Sequence, residues 1–245
     1  MKKMKLGIAI IAMGALATTF ASCGKDDNKD ATVCSITSIV KTAQSTTTTT
    51  TIIYDEGRIA TVLTNGTNGG SKLFTYGFGT IQIVSKDKAG TTLGMDDITL
   101  TPEGKVASVT KKTAAGDMKE IVAYSYDLDG NLAQYVVTNA VGAKDTTLVT
   151  YINGNMTNKK YSNNDVTSFD YYADKLFVDG DYFKITQLLE NGALAVANTN
   201  LLKSSVTNNG SITTYTYQFN ALNKITKMTV AGATTDEYTY VYDCR

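Results

Sequence analysis

Tyr124-Ser125-Tyr126-Asp127-Leu128-Asp129-Gly130-Asn131-Leu132 is the stretch whose reading decides the fold. Upstream and into it, Ile121, Ala123 and Ser125 alternate with Val122, Tyr124 and Tyr126. That period of two belongs to a strand with one buried face. An acidic turn follows, in which Asp127 and Asp129 can hydrogen-bond their own backbone and Gly130 can take the positive φ of a tight hairpin. Asn131-Leu132 then opens a return strand. The same unit recurs as Tyr54-Asp55-Glu56-Gly57-Arg58-Ile59, Thr101-Pro102-Glu103-Gly104-Lys105-Val106 and Tyr151-Ile152-Asn153-Gly154-Asn155-Met156, with degenerate copies at 76–81 and 217–225. The turn glycines at 57, 79, 104, 130 and 154 are 22, 25, 26 and 24 residues apart, which suits two strands and two turns per unit.

Other segments agree. Residues 148–152 and 212–219 read as strands, and the six threonines 46–51, leading into Ile52, Ile53 and Tyr54, read as a β-branched strand rather than a linker. Residues 181–192 depart from the pattern: Ile185, Leu188 and Leu189 have helical spacing, Asp181 can cap the start, and Asn191-Gly192 can end it. The expectation is an all-β chain, a single curved antiparallel sheet or open barrel of repeated hairpins, with one short helix plugging a mouth or face.

Composition narrows the chemistry. The chain has 245 residues, 23 basic and 23 acidic, with 42% apolar residues and one Pro. Without the first 22 residues, which carry Lys2, Lys3 and Lys5, 20 basic residues face 23 acidic ones. This lacks the basic excess of a nucleic-acid-binding domain, so no nucleic-acid partner is expected. With no His, imidazole metal sites, Ser-His-Asp and Cys-His arrangements and His acid–base catalysis are excluded. No cofactor or metal is expected.

The N-terminus reads as an export signal: a basic start, an apolar run from Leu6 to Leu16, then Phe20-Ala21-Ser22-Cys23. The run is shorter than the about 20 residues that span a bilayer. Phe20-Ala21-Ser22-Cys23 resembles the lipobox of bacterial lipoproteins. The resemblance implies cleavage before Cys23, a diacylglycerol thioether on its sulfur, and acylation, as palmitate, of its new amino group. Two or more acyl chains anchor stably where one is marginal. Lys25-Asp26-Asp27 resembles the Lys-acid-acid surface-export signal of Bacteroidetes lipoproteins, which would place the protein at the cell surface rather than on the periplasmic face. The expected organisation is a signal peptide at 1–22, a lipidated flexible tether at 23–32 and an antiparallel β domain at 33–245.

With Cys23 lipidated, Cys34 and Cys244 remain. In an oxidising compartment the pair reads as a disulfide clasping the ends of the domain; the alternative is two separate thiols. Asp127-Leu128-Asp129-Gly130-Asn131 could suggest calcium, but its Gly is fourth rather than sixth, and a hairpin turn explains the same residues. The acidic pairs Asp96-Asp97 and Asp236-Glu237 read as solvated turns or edge charges that block strand-to-strand aggregation. No catalytic residue is assigned. The fifteen tyrosines read as cross-strand and core residues recurring with the hairpin unit, with a ligand-binding tyrosine face as the functional alternative.

The hairpin unit of residues 124–132 resembles the Tyr-Asp repeat of Rhs-type proteins. The mature chain as a whole resembles an uncharacterised family of Bacteroidetes lipoproteins with a porin-like open barrel. The likeness is carried most by residues 198–245: Asn200-Leu201-Leu202-Lys203-Ser204, the Gly210 turn, Thr214-Tyr215-Thr216-Tyr217 and Tyr238-Thr239-Tyr240-Val241-Tyr242-Asp243. It implies no catalytic residues. The resulting expectation is an outer-membrane-anchored, non-enzymatic binding or scaffold module whose partner is a glycan, a surface protein or an apolar molecule. The alternative is a carrier of a lipid or other apolar ligand, which needs a continuous cavity lined by Phe74, Ile81, Ile83, Val122, Leu132, Val149 and Phe183. A hydrolase would need convergent carboxylates, with Asp129 among them.

Overall fold

The computed structural model describes residues 33–67 and 69–244. The signal peptide and tether assigned to 1–32, with Cys23, lie outside the described residues. Sixteen strands follow one another in antiparallel meander: β1 (Cys34–Ala43), β2 (Thr46–Asp55), β3 (Arg58–Thr64), β4 (Gly70–Gly77), β5 (Thr80–Asp87), β6 (Thr92–Leu100), β7 (Val106–Thr113), β8 (Met118–Tyr126), β9 (Leu132–Asn139), β10 (Lys144–Ile152), β11 (Asn155–Lys160), β12 (Val166–Leu176), β13 (Asn200–Thr207), β14 (Ile212–Phe219), β15 (Ile225–Ala231) and β16 (Thr235–Cys244). Among the described residues a single helix, α1 (Tyr182–Asn191), lies between β12 and β13.

Each strand pairs with its sequence neighbours, and β1 pairs with β16, so the sheet is a closed barrel rather than the open one expected. Closure has a physical reason. The first and last strands of an open sheet leave rows of unpaired N–H and C=O groups, and pairing them with each other removes both edges. The seam runs from Cys34↔Cys244 to Ala43↔Asp236, with one register shift at Ile36/Ser38. A disulfide joins Cys34 and Cys244 at its end.

The alternation sorts the wall. Ile81, Ile83, Ile98, Val106, Val109, Val122, Tyr215, Tyr217 and Tyr240 are buried inside. Every tyrosine and phenylalanine of the described strands packs into the interior clusters. The outer face carries Thr47, Thr49 and Thr51 of β2, Gln82 of β5, and Thr216 and Gln218 of β14. Lys112 pairs with Asp97 and Lys227 with Glu237 on that face. A lipid-facing barrel is the reverse, with an apolar band flanked by aromatic girdles, and a lysine at its midplane costs about 2–4 kcal/mol. The outer wall is mixed: Ile53, Leu63, Leu73, Leu148 and Val241 are also exposed on it, but threonines and ion pairs interrupt them and no tyrosine or phenylalanine of the described strands joins them.

The helix forms where the sequence pattern places it. Asp181 caps it, its Oδ1 accepting from the backbone N–H of Phe183 and Lys184. Gly192 closes it in the left-handed conformation at φ 66°, its N–H bonded to the Leu188 carbonyl. The helix runs inside the barrel. Near its start, Tyr182 packs on Tyr215 of β14 and Phe183 on Phe169 of β12. At its end Lys72 of β4 donates to the Leu189 carbonyl, and Gly192 lies against Phe74 and Tyr76 of β4. A Cβ at Gly192 would come within 3.1 Å of both Phe74 Cδ1 and Tyr76 Oη, so the position needs glycine for space as well as for φ.

Of the residues nominated for a ligand cavity, Phe74, Ile83, Val122, Val149 and Phe183 are packed along the lumen, while Ile81 and Leu132 are packed and also line a cup at one mouth. Phe74, Ile81, Ile83 and Val122 belong to one buried cluster, Leu132 and Val149 to a second, and Phe183 of the helix touches both. The acidic pairs are neither turns nor edge charges, because the closed sheet has no edge. Asp96 and Asp97 lie mid-strand in β6, where burial pushes the Asp96 carboxyl up and the Lys112 hydrogen bond holds the Asp97 carboxyl low. Asp236 pairs with Lys41 across the seam, and Glu237 with Lys227.

Candidate functional site: a cup at one mouth of the barrel

The barrel has two unlike ends. At one, the first and last strands meet at Cys34 and Cys244 and short hairpins carry glycines 57, 79, 104, 130 and 154, with φ between 65° and 79°. A cup of about 1050 Å³ opens at this end. Its wall is three neighbouring hairpin tips, β4–β5, β6–β7 and β8–β9. Its floor is Ile81, Leu100, Leu132 and Tyr151 together with Leu188 and the segment that follows the helix.

That segment is fixed by one side chain. Gln187 Oε1 accepts from the backbone N–H of Ala195 and Val196, both at 2.7 Å, while its Nε2 donates to the Val196 and Phe183 carbonyls at 3.0 Å. The Leu194 carbonyl accepts from Val106 N–H of β7. Irregular backbone crossing the mouth is thus satisfied by the helix and the wall, which leaves the apolar side chains of 193–195 to face the cup.

The rim is mixed in charge. The Arg58 guanidinium stacks on the Tyr76 ring, 5.3 Å from its centroid. Lys105 lies over Tyr126 and donates to the Gly130 carbonyl, tying the β6–β7 tip to the β8–β9 tip. Glu103 and Asp129 complete the rim. Asp127, the residue that suggested calcium, accepts from Asn131 N–H and Nδ2 within its own turn. Among the described residues no three His, Cys, Asp or Glu side chains come together as a metal site.

The tyrosines reveal a pattern invisible in the sequence. At this end of the barrel a tyrosine near the close of an even-numbered strand donates to the carbonyl that opens the preceding strand. Tyr54 bonds Ile36, Tyr76 bonds Ile59, Tyr126 bonds Val106, Tyr171 bonds Met156, and Tyr242 bonds Ile225, at 2.6–3.0 Å. Tyr151 holds the same place in β10. Its hydroxyl is buried beside the Leu132 backbone that opens β9, whose N–H favours the phenol oxygen, yet its own proton finds no acceptor among the described residues. The Asn198 Nδ2, in the segment that leads into β13, is likewise without one. Buried donors of this kind are few in native proteins and mark the place of a water or a ligand atom. Sequence reasoning assigned the tyrosines to the core as a group; nothing in the residue string distinguishes Tyr151 from Tyr126 or Tyr171.

No protein-family model matches the chain, and no curated protein matches it. Solved structures do. A porin-like protein from Bacteroides uniformis aligns over 85% of this chain and 98% of its own, with a TM-score of 0.62 at 15% identity. A porin-like protein from Bacteroides vulgatus aligns over the same shares with a TM-score of 0.40 at 14% identity. The first of these likenesses shows a shared barrel fold.

Proposed function

We propose that this chain is a non-enzymatic binding module of the bacterial cell envelope, held to the outer membrane by lipid on Cys23, with the cup as its ligand seat. The observation that carries the binding role is Tyr151, a donor with no acceptor in the floor of an apolar cup whose equivalents elsewhere in the barrel are all satisfied by backbone. A molecule with an apolar body against Leu100, Leu132, Leu188 and Leu194 fits that surface, and its acceptor reaches the Tyr151 hydroxyl, which has no exposed surface of its own, when the side chains over it give way.

An outer wall that carries ion pairs and threonines and, among the described strands, no aromatic girdle supports attachment by a lipid chain rather than by transmembrane strands. The name given to the Bacteroides uniformis neighbour, porin-like, supports an outer-membrane setting; a conducting pore does not suit a lumen occupied by α1. The same packing disfavours carriage of a lipid along the lumen.

Native mass spectrometry of residues 31–245, purified from an oxidising compartment, tests the reading. The expected result is a bound small molecule that is retained in wild type, weakened in Tyr151→Phe and absent in Ala193→Phe, which fills the cup. A ligand-free mass in repeated preparations, or a ligand indifferent to both substitutions, overturns the cup as the seat.

A further inference from the structure

We propose that the cup-bearing end of the barrel faces the lipid and docks on a zwitterionic lipid surface through Phe78 and Leu128; this rests on the reading that Cys23 carries the anchor.

The length of the tether is the first argument. Strand β1 starts at this end, so the chain enters the barrel here. The ten residues 23–32 span at most about 36 Å when fully extended. A strand of eight to ten residues rises roughly 30 Å by itself. Strand tilt of about 35–45° reduces that to roughly 23 Å of wall, so bringing the opposite mouth to the lipid would commit about two thirds of the tether's full reach to running along the wall, whereas the near rim demands no such extension.

The second argument is what the near rim exposes. Phe78 and Leu128 are 106% and 107% exposed at the tips of the β4–β5 and β8–β9 hairpins. These two tips flank the cup on either side of the β6–β7 hairpin. Phe78 sits between Gly77 and Gly79, so it can enter an interface without drawing a charge with it. Leu222, in the β14–β15 connection at the same end, is 59% exposed. At the opposite end the described connections hold small and polar residues together with Tyr161 and Val141, and Leu93 and Ile212 at the starts of β6 and β14 are 61% and 59% exposed; Val141, at 88%, is the tip there that comes nearest Phe78 and Leu128 in exposure.

Charge selects the kind of surface. Asp55, Glu56, Glu103, Asp127 and Asp129 outnumber Arg58, Lys105 and Lys224 on this rim, so an anionic surface would repel it and a zwitterionic one would not. A cup that opens onto headgroups can draw an amphiphile directly from the leaflet.

The chain has no tryptophan, which makes the test direct. Phe78→Trp, Leu128→Trp and Val141→Trp each place one fluorophore at an exposed tip of the full, lipid-bearing protein. Each is reconstituted into phosphatidylcholine vesicles with and without brominated acyl chains, and flotation is read first, beside Cys23→Ala. The expected result is that all three tryptophan variants float and Cys23→Ala does not. Phe78→Trp and Leu128→Trp then show blue-shifted emission that brominated lipid quenches, and Val141→Trp shows neither. Flotation with the first two tips as unquenched as Val141→Trp, or with Val141→Trp alone quenched, overturns the docking and leaves the anchor standing. Failure of the Phe78→Trp and Leu128→Trp proteins to float overturns both.

Discussion

The hydroxyl of Tyr217, in β14, lies 3.3 Å from Oδ2 of Asp181, a carboxylate with no exposure that also accepts from Leu202 N–H and caps α1. One side chain thus ties the helix to two strands of the wall. Burial pushes the Asp181 carboxyl above its ordinary value of 3.8, although four hydrogen bonds oppose the shift. The folded protein therefore holds this proton more tightly than the unfolded chain does. The stability this group contributes is present in full below pH 3.8 and is lost as pH rises through the raised value. Asp181→Asn keeps an acceptor for the cap and removes the buried charge. Chemical denaturation is expected to show its stability relative to wild type rising from pH 4 towards neutrality. Asp181→Ala, which leaves the cap, Leu202 N–H and Tyr217 without a partner, should lose about 2–4 kcal/mol across the range.

The Cys34–Cys244 disulfide closes a separation of 210 residues at the seam of the barrel. In the chain-entropy model such a loop is worth up to about 5 kcal/mol. Nine register pairs still join β1 to β16 without it. The double variant Cys34→Ser/Cys244→Ser is expected to retain its far-ultraviolet spectrum and lose several degrees or more in Tm. Reductant should lower the Tm of the wild type and leave that of the variant unchanged.

Gly192→Ala sets a methyl against Phe74 and Tyr76 at 3.1 Å in a backbone that disfavours any Cβ. A cost of about 1–3 kcal/mol is expected, seen as a lower denaturation midpoint. Gly90→Ala, at a turn with open space and φ of 85°, carries the backbone penalty alone and should cost less.

Burial raises the tyrosine hydroxyls of the interior, Tyr54 and Tyr124 to about 12. A raised phenol stabilises the fold below the ordinary value of 10 and ceases to do so as pH climbs through the folded value. Tyrosinate absorbance is expected to lag behind that of free tyrosine above pH 10 and then rise together with the loss of β-structure near pH 12. A smooth titration complete by pH 11, with the fold intact, would show an interior open to solvent.

The strands were legible because their alternation is strong and their turns carry Gly, Asn and Asp at the right places. The helix at 182–191 was legible from Asp181, from Ile185, Leu188 and Leu189, and from Gly192. These signals are local, set by backbone sterics, capping and the period of side chains along one segment. Closure was not legible. An open sheet and a closed barrel use the same hairpins, and they differ only in whether Cys34 to Ala43 meets Asp236 to Cys244, a contact between the two ends of the domain. Alternation along β6, in step with buried Ile98, puts Asp96 inside and Asp97 outside, while closure removes the free edge on which such charges were expected to sit. The cup was not legible either. Its floor combines Ile81, Leu132, Tyr151 and Leu194 from four distant segments, and Tyr151 differs from Tyr126 only in what the neighbouring backbone offers its hydroxyl. The sequence by itself determined the elements, the inward face of each strand and the chemistry that has no residues to perform it. Only the tertiary structure decided that the sheet closes, that α1 fills it, and which buried donor is left over, because hydrogen-bond satisfaction and packing are settled between segments rather than within them.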